Sequence, residues 1–251
     1  MSFEVQGEED LPSAWADEFH GSEVDELLGA GAAGPGKSRV LLRDPVPLAI
    51  IEQERCRGKV PGHKIPWGGS TGKVLHLRRE LGMLEETLSR AKRLFPKIDP
   101  DVTFKEEFGK PVAIWKSGFK FIFGGCKDPG DWSQYDTAEY TRVYYDELSQ
   151  FLEEQYQRIN VRCRSADPVL GKFVGIRSAT NPSPNWVRTM FVDPAPKGRV
   201  VMRRKVVNRD GETRYRTRMF LPATLYDNPN KAFVAQYELT LLDKPAHIRN
   251  A

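Results

Sequence analysis

The 251-residue chain lacks any long apolar run. A helix crossing a bilayer needs about 20 consecutive apolar residues, so no transmembrane helix and no membrane partner are expected. The N-terminus has neither a basic opening nor an apolar stretch, which excludes a secretory signal peptide. Cysteine is scarce: Cys56, Cys126 and Cys163 form no CxxC pair, and no histidine cluster accompanies them. That excludes a zinc knuckle and leaves reduced, buried thiols as the expectation. Internal repeats and low-complexity segments are also missing. Positive charge is absent from residues 1–28, which hold nine acids and no Lys or Arg. The rest of the chain holds all 38 basic residues against 25 acids, a formal excess of 13 beneath a net charge of +4. A body this basic suits a polyanionic partner, nucleic acid first among them.

What is present reads as alternating strands and helices. Residues 1–20 read as a flexible acidic arm. Leu27 and Leu28 lead into a glycine-rich turn, and 38–55 reads as helical, interrupted by Pro45 and Pro47. Val74–Leu77 reads as a buried strand. Leu81, Leu84, Leu88, Ala91 and Phe95 recur at helical spacing up to Pro96, which is expected to end that helix. Val112–Trp115 and Phe119–Phe123 read as a hairpin, Val143–Tyr145 as a strand before a helix from Leu148 to about Val161, and Val174–Ala179 as another strand. Val200–Val207 and Thr213–Leu221 flank an Asp-Gly turn signal and read as a second hairpin. The expected fold class is α/β, a mostly parallel sheet flanked by helices, with a basic β-hairpin near the C-terminal end.

Two motifs carry chemistry. Gly31-Ala32-Ala33-Gly34-Pro35-Gly36-Lys37-Ser38 fits G-x-x-x-x-G-K-[ST] in full. Chance gives such a match in roughly one chain in a hundred of this length. The glycines let backbone N–H groups turn toward phosphate oxygens. Lys37 would reach the terminal phosphates of ATP and Ser38 would ligate Mg²⁺, with Arg39 beside them in the nucleotide site. The second motif is Val143-Tyr144-Tyr145-Asp146-Glu147, where Asp146 would hold the Mg²⁺ shell and Glu147 would polarise the attacking water. Kinases do not need the adjacent glutamate, so the pair points to hydrolysis.

Further segments fall in a recognisable order. Val74–Glu80, Leu84-Glu85-Glu86 and Phe95-Pro96 are followed by Phe119–Gly124, Tyr135–Tyr140 and Tyr145–Phe151. Arg177–Pro182, Trp186-Val187-Arg188, Phe191–Pro194 and Leu221–Pro229 come after them. Together, over about residues 27–250, these resemble the ATPase half of tailed-phage DNA-packaging terminase large subunits. The resemblance implies an ASCE-type P-loop NTPase core over 21–225 and a C-terminal lid or linker over 226–251. The nuclease domain that follows in the family is expected to be absent, and nuclease activity with it. Ser178, Ala179, Thr180 and Asn181 match the coupling motif. The implied partners are double-stranded DNA, the portal protein, the small terminase subunit and copies of the chain in a ring. The isolated chain is expected to be a monomer, and the compartment the host cytoplasm.

The sequence departs from the family in two places. The variable P-loop positions hold no arginine, and no glutamine motif for adenine precedes the loop. An arginine finger must come from elsewhere, with Arg78, Arg79, Arg142, Arg162 and Arg164 as candidates. The 199–218 hairpin carries eight basic residues, among them Arg203, Arg204, Lys205, Arg214 and Arg216, which could contact phosphates without reading bases. Alternatives that stay open are another P-loop nucleic-acid motor, helicase-like in type, and a nucleotide-binding assembly module without turnover.

Overall fold

The computed structural model describes residues 13–31, 34–181, 183–207 and 209–242. Nine strands are hydrogen-bonded in the order β3-β4-β5-β2-β6-β7-β1-β9-β8, in a mostly parallel α/β sheet. They are β1 (Glu26–Gly31), β2 (Lys73–Arg78), β3 (Thr103–Glu107), β4 (Lys110–Ile114) and β5 (Lys120–Gly125). After them come β6 (Arg142–Asp146), β7 (Gly175–Thr180), β8 (Met202–Val207) and β9 (Thr213–Ala223). The helices are α1 (Ala14–His20), α2 (Lys37–Arg43), α3 (Val46–Cys56), α4 (Glu85–Ile98), α5 (Glu153–Asn160) and α6 (Lys231–Leu242). None is long and apolar enough to cross a membrane, among the described residues.

The chain divides into two compact units, residues 41–178 and residues 1–40 with 179–251. The first holds the larger core. There β2 pairs in parallel with β5 and β6, and Val74, Leu75, His76 and Leu77 are all buried. A parallel strand covered on both faces reads as a continuous apolar run rather than an alternation, which is why 74–77 was legible. Phe95, Trp115, Phe121 and Phe123 form a ring cluster beside it, with centroids 4.6–5.3 Å apart in the contacts Phe95–Trp115, Phe95–Phe121 and Phe121–Phe123. In the second unit β1 pairs in parallel with β9. Trp15 and Phe19 of α1 close over Gly29, where a Cβ would stand 2.8 Å from the Trp15 ring.

Three local expectations change. Residues 14–20 of the expected flexible arm form α1, capped by the Ser13 hydroxyl accepting from the Ala16 N–H, because Trp15 and Phe19 are apolar enough to anchor it. Residues 1–12 lie outside the described residues. Pro96 sits inside α4 rather than ending it, and the helix runs on to Ile98. The helix expected from Leu148 begins instead with a 3₁₀ turn, Leu148–Gln150, and becomes α-helical only at Glu153. Strand β3 was not anticipated: its residues are mostly exposed and carry little apolar signal.

His76 is fully buried between the rings of Phe121, Phe123 and Tyr144, at centroid distances of 5.9, 5.9 and 6.2 Å. Neither ring nitrogen has a hydrogen-bond partner among the described residues. Burial, with the nearby Arg78 charge second, lowers its pKa to about 3. An unfolded histidine protonates below about 6.5, so between these values the unfolded chain binds more protons. This stabilising contribution is complete above about 6.5 and is lost as pH falls toward 3. Wild-type Tm should therefore fall further between about pH 7 and about pH 4.5 than that of His76→Leu. Equal falls in a thermal melt would show that His76 carries no such linkage.

Candidate nucleotide site

The phosphate-type loop belongs to the smaller unit. Leu27, Leu28 and Ala30 bury β1, and Gly31 at its end lies against Ala223 of β9. A Cβ at Gly31 would stand 1.8 Å from the Ala223 carbonyl oxygen, so only glycine allows this approach. At Gly34 φ is +100°, and a Cβ would stand 2.7 Å from Leu225. The Asn228 side-chain amide donates to the Gly34 carbonyl, and Phe233 of α6 borders the same position. The segment after residue 224 thus braces the loop. At Gly36 φ is +89°, and among the described residues no atom stands within 4 Å of where a Cβ would be. The Gly36 carbonyl then accepts from the Arg39 and Val40 N–H groups at 3.0 and 3.1 Å, which starts α2. Pro35 is buried, while Ser38 and Arg39 are half-buried; Ala32 and Ala33 lie outside the described residues.

Lys37 is only 7% exposed. Its ammonium donates to the Gly31 carbonyl at 3.0 Å and to Asn181 Oδ1 at 2.8 Å. Asn181 follows β7, whose Ala179 and Thr180 are buried. Within the smaller unit Lys37 is thus joined directly to Asn181, just past the end of β7. Ser178, in the other unit, is fully buried and its hydroxyl has no hydrogen-bond partner among the described residues. A buried ammonium beside a loop that fits the phosphate-binding motif is suited to a phosphate, which carries the opposite charge.

The carboxylate pair belongs to the larger unit. All five residues of β6 are buried, and Asp146 ends the strand at 1% exposure. Arg78 Nε lies 3.3 Å from Asp146 Oδ2, a charge contact without hydrogen-bond alignment. Glu147 is half-buried in a left-handed conformation, φ 60° and ψ 56°. For a residue with a Cβ this costs of order 1–3 kcal/mol and persists only where the surroundings hold it. The 3₁₀ turn holds it here, with the Gln150 N–H donating to the Glu147 carbonyl at 2.9 Å.

The arginines part company. Arg142 is buried, its Nη1 bound to the Asp44 carboxylate and its Nε donating to the Phe173 carbonyl at 2.9 Å. Burial opposes its charge, yet Asp44 outweighs that and raises its pKa. Tyr144 also donates to Asp44, at 2.7 Å, and burial followed by the Asp44 charge holds its hydroxyl far above the usual range. A guanidinium tied down this way cannot reach into a neighbouring subunit, so Arg142 leaves the list of fingers. Arg79 donates to the Gln150 carbonyl at 2.8 Å, beside the turn that holds Glu147. Arg162 and Arg164 pair with Asp136 and Glu139 at 3.0 and 2.8 Å. Asp44 and Asn228 were missed from sequence. A charged Arg142 within an apolar strand pattern did signal that some buried carboxylate must answer it; nothing marked Asn228.

A cavity of about 350 Å³ is lined by Arg79, Glu80, Lys110, Lys127, Asp131 and Gln134 among others, with no P-loop residue. Its lining mixes charges of both signs, and the loop that fits the phosphate-binding motif over 31–38 is the stronger candidate. Removing Asp44 should strand a buried guanidinium. Asp44→Ala should cost about 3–5 kcal/mol in urea unfolding, and Asp44→Leu with Arg142→Met should recover part of it. A single-variant loss below about 1 kcal/mol would mean that the pair is not buried as described.

No family model matches the chain, and no curated protein matches it in sequence. Solved structures do. The large terminase of a thermophilic bacteriophage, in complex with ADP, aligns with TM-score 0.60 at 13% identity. That alignment covers 94% of this chain and 51% of the terminase. A second crystal form of the same terminase gives 0.61 at 14%, covering 94% and 52%. A further structure of it gives 0.56 at 13%, covering 93% and 50%. The chain spans about half the length of the terminase it matches. At 13–14% identity the likeness is one of fold, and the fold of this chain is that of the phage large terminases.

Proposed function

We propose that the chain is an ATP hydrolase that drives double-stranded DNA into a viral procapsid. The observation that carries this reading is the P-loop lysine. In a loop matching the full phosphate-binding motif, the Lys37 ammonium is held by the Gly31 carbonyl and by Asn181, at the end of the coupling segment. The likeness to a terminase crystallised with ADP supports it.

In this reading Lys37 turns from Gly31 and Asn181 to the terminal phosphates of ATP. Ser38 and Asp146 hold Mg²⁺, which supplies charge neutralisation of the phosphates when bound. The Glu147 carboxylate accepts a hydrogen bond from the attacking water and orients it. Lys37 leaves Asn181 when phosphate arrives and returns to it when phosphate departs, so the coupling segment Ser178–Asn181 senses the state of the site. Segment 226–251 serves as a lid on the P-loop. Arg79, beside the Glu147 turn, and Arg162, on a half-exposed pair, remain the finger candidates. The motor works as a ring of copies on the portal protein, with the small terminase subunit as a further partner, in the host cytoplasm. Away from the portal the chain is a monomer.

Lys37→Ala should abolish phosphate release and weaken nucleotide binding, because the cation opposite the terminal phosphates is gone. Turnover at the wild-type rate would place the site elsewhere. Glu147→Gln should bind nucleotide normally while kcat falls about 10²–10⁴-fold, since an amide keeps the shape but polarises water poorly. Binding and turnover that decline together in nucleotide titrations would make Glu147 structural.

A further inference from the structure

The basic hairpin is not one uniform positive surface. In the pairing of β8 with β9, Arg203 stands opposite Thr217, Arg204 opposite Arg216, Lys205 opposite Tyr215 and Val206 opposite Arg214. Directly opposed residues share a face, and neighbours along a strand take opposite faces. One face therefore carries Arg203, Lys205 and Tyr215. The other carries Arg204, Arg214, Arg216 and Arg218.

Acids stand beside three of the four cations of the second face; Arg204 is exposed and has no ion-pair partner among the described residues. Arg218 forks onto Glu26 at 2.6 and 2.9 Å, Arg216 lies 3.5 Å from Asp25, and Arg214 lies 3.7 Å from Glu212. Arg203 and Lys205 are exposed, and neither has an ion-pair partner among the described residues. Directly across the ribbon from Lys205 stands Tyr215, a 58%-exposed ring. Charges on an edge strand can serve merely to prevent sheet-to-sheet association, and β8 does end the strand order. That role needs charge on the edge but no segregation of it. One face thus holds two cations without an ion pair and an aromatic, while on the other three of four cations are paired and only Arg204 is not, on a chain whose residues beyond 28 carry an excess of 13 positive charges.

Resting on the reading of the chain as a DNA motor, we infer that the Arg203–Lys205–Tyr215 face is a contact surface for the phosphate backbone of duplex DNA. The opposite face holds the ribbon to its own unit. Cations one strand repeat apart, about 6.6–6.8 Å, meet backbone charge without reading bases.

The test is fluorescence anisotropy of a labelled duplex with the full chain across a salt series. The double variant Arg203→Ala with Lys205→Ala should lower the salt slope by about 1.8 and weaken binding roughly tenfold or more. Arg214→Ala with Arg216→Ala should change both by less than about twofold, and Arg203→Lys with Lys205→Arg should restore the wild-type slope. Equal losses from the two faces would overturn the inference. So would wild-type binding by the first variant, no duplex binding by the wild type, or displacement of duplex by polyglutamate at equal charge. ATP hydrolysis by the wild type without DNA is measured beside it. Its absence would sink the motor reading while leaving the face-specific binding result intact.

Discussion

A buried ammonium must be answered by oxygen, and at Lys37 the answer comes from both ends of one device. One oxygen is the Gly31 carbonyl, where β1 ends; the other is Asn181, where β7 has just ended. The contact requires β1 to pass so close to β9 that only glycine fits at position 31. It also requires the loop to be supported from behind by Leu225, Asn228 and Phe233.

The larger unit solves a related problem along β6. Its five positions are all buried, yet it begins with Arg142 and ends with Asp146. Each charge sits at a strand end, where another element can supply its counter-charge. Asp44 meets Arg142, and Arg78 approaches Asp146. The first pair is closed and structural, sharing its carboxylate with Tyr144. The second is loosely aligned, and Glu147 beside it is held in a left-handed turn. Tight pairing at one end of the strand and strain at the other separate the part that holds the sheet from the part suited to chemistry.

The candidate elements were legible in the chain because they are local. The P-loop motif lies within eight consecutive residues, and a glycine pattern before a helix has few other readings. The Asp146-Glu147 pair follows a run of apolar residues, and the Asp-Gly turn announces the basic hairpin. Less legible were elements without a strong periodic signal. The edge strand β3 is mostly exposed, and α1 depends on two aromatic anchors within an acidic stretch.

By itself, then, the sequence determined the alternation of strands and helices, the phosphate-type loop, the acidic pair and the basic character of the ribbon. Each of these follows from short-range periodicity or from residue chemistry at fixed spacing. Only the tertiary structure decided what each charge faces. Arg142 passed from candidate finger to buried partner of Asp44, 98 residues away in the chain. Arg214 and Arg216 were separated from Arg203 and Lys205 by strand register, with Glu212 of the hairpin turn beside the first and Asp25 of a distant segment beside the second. A sequence lists the charges. Their pairing depends on which distant segments the sheet brings within a few ångströms, and Coulomb attraction and desolvation are both set at that distance.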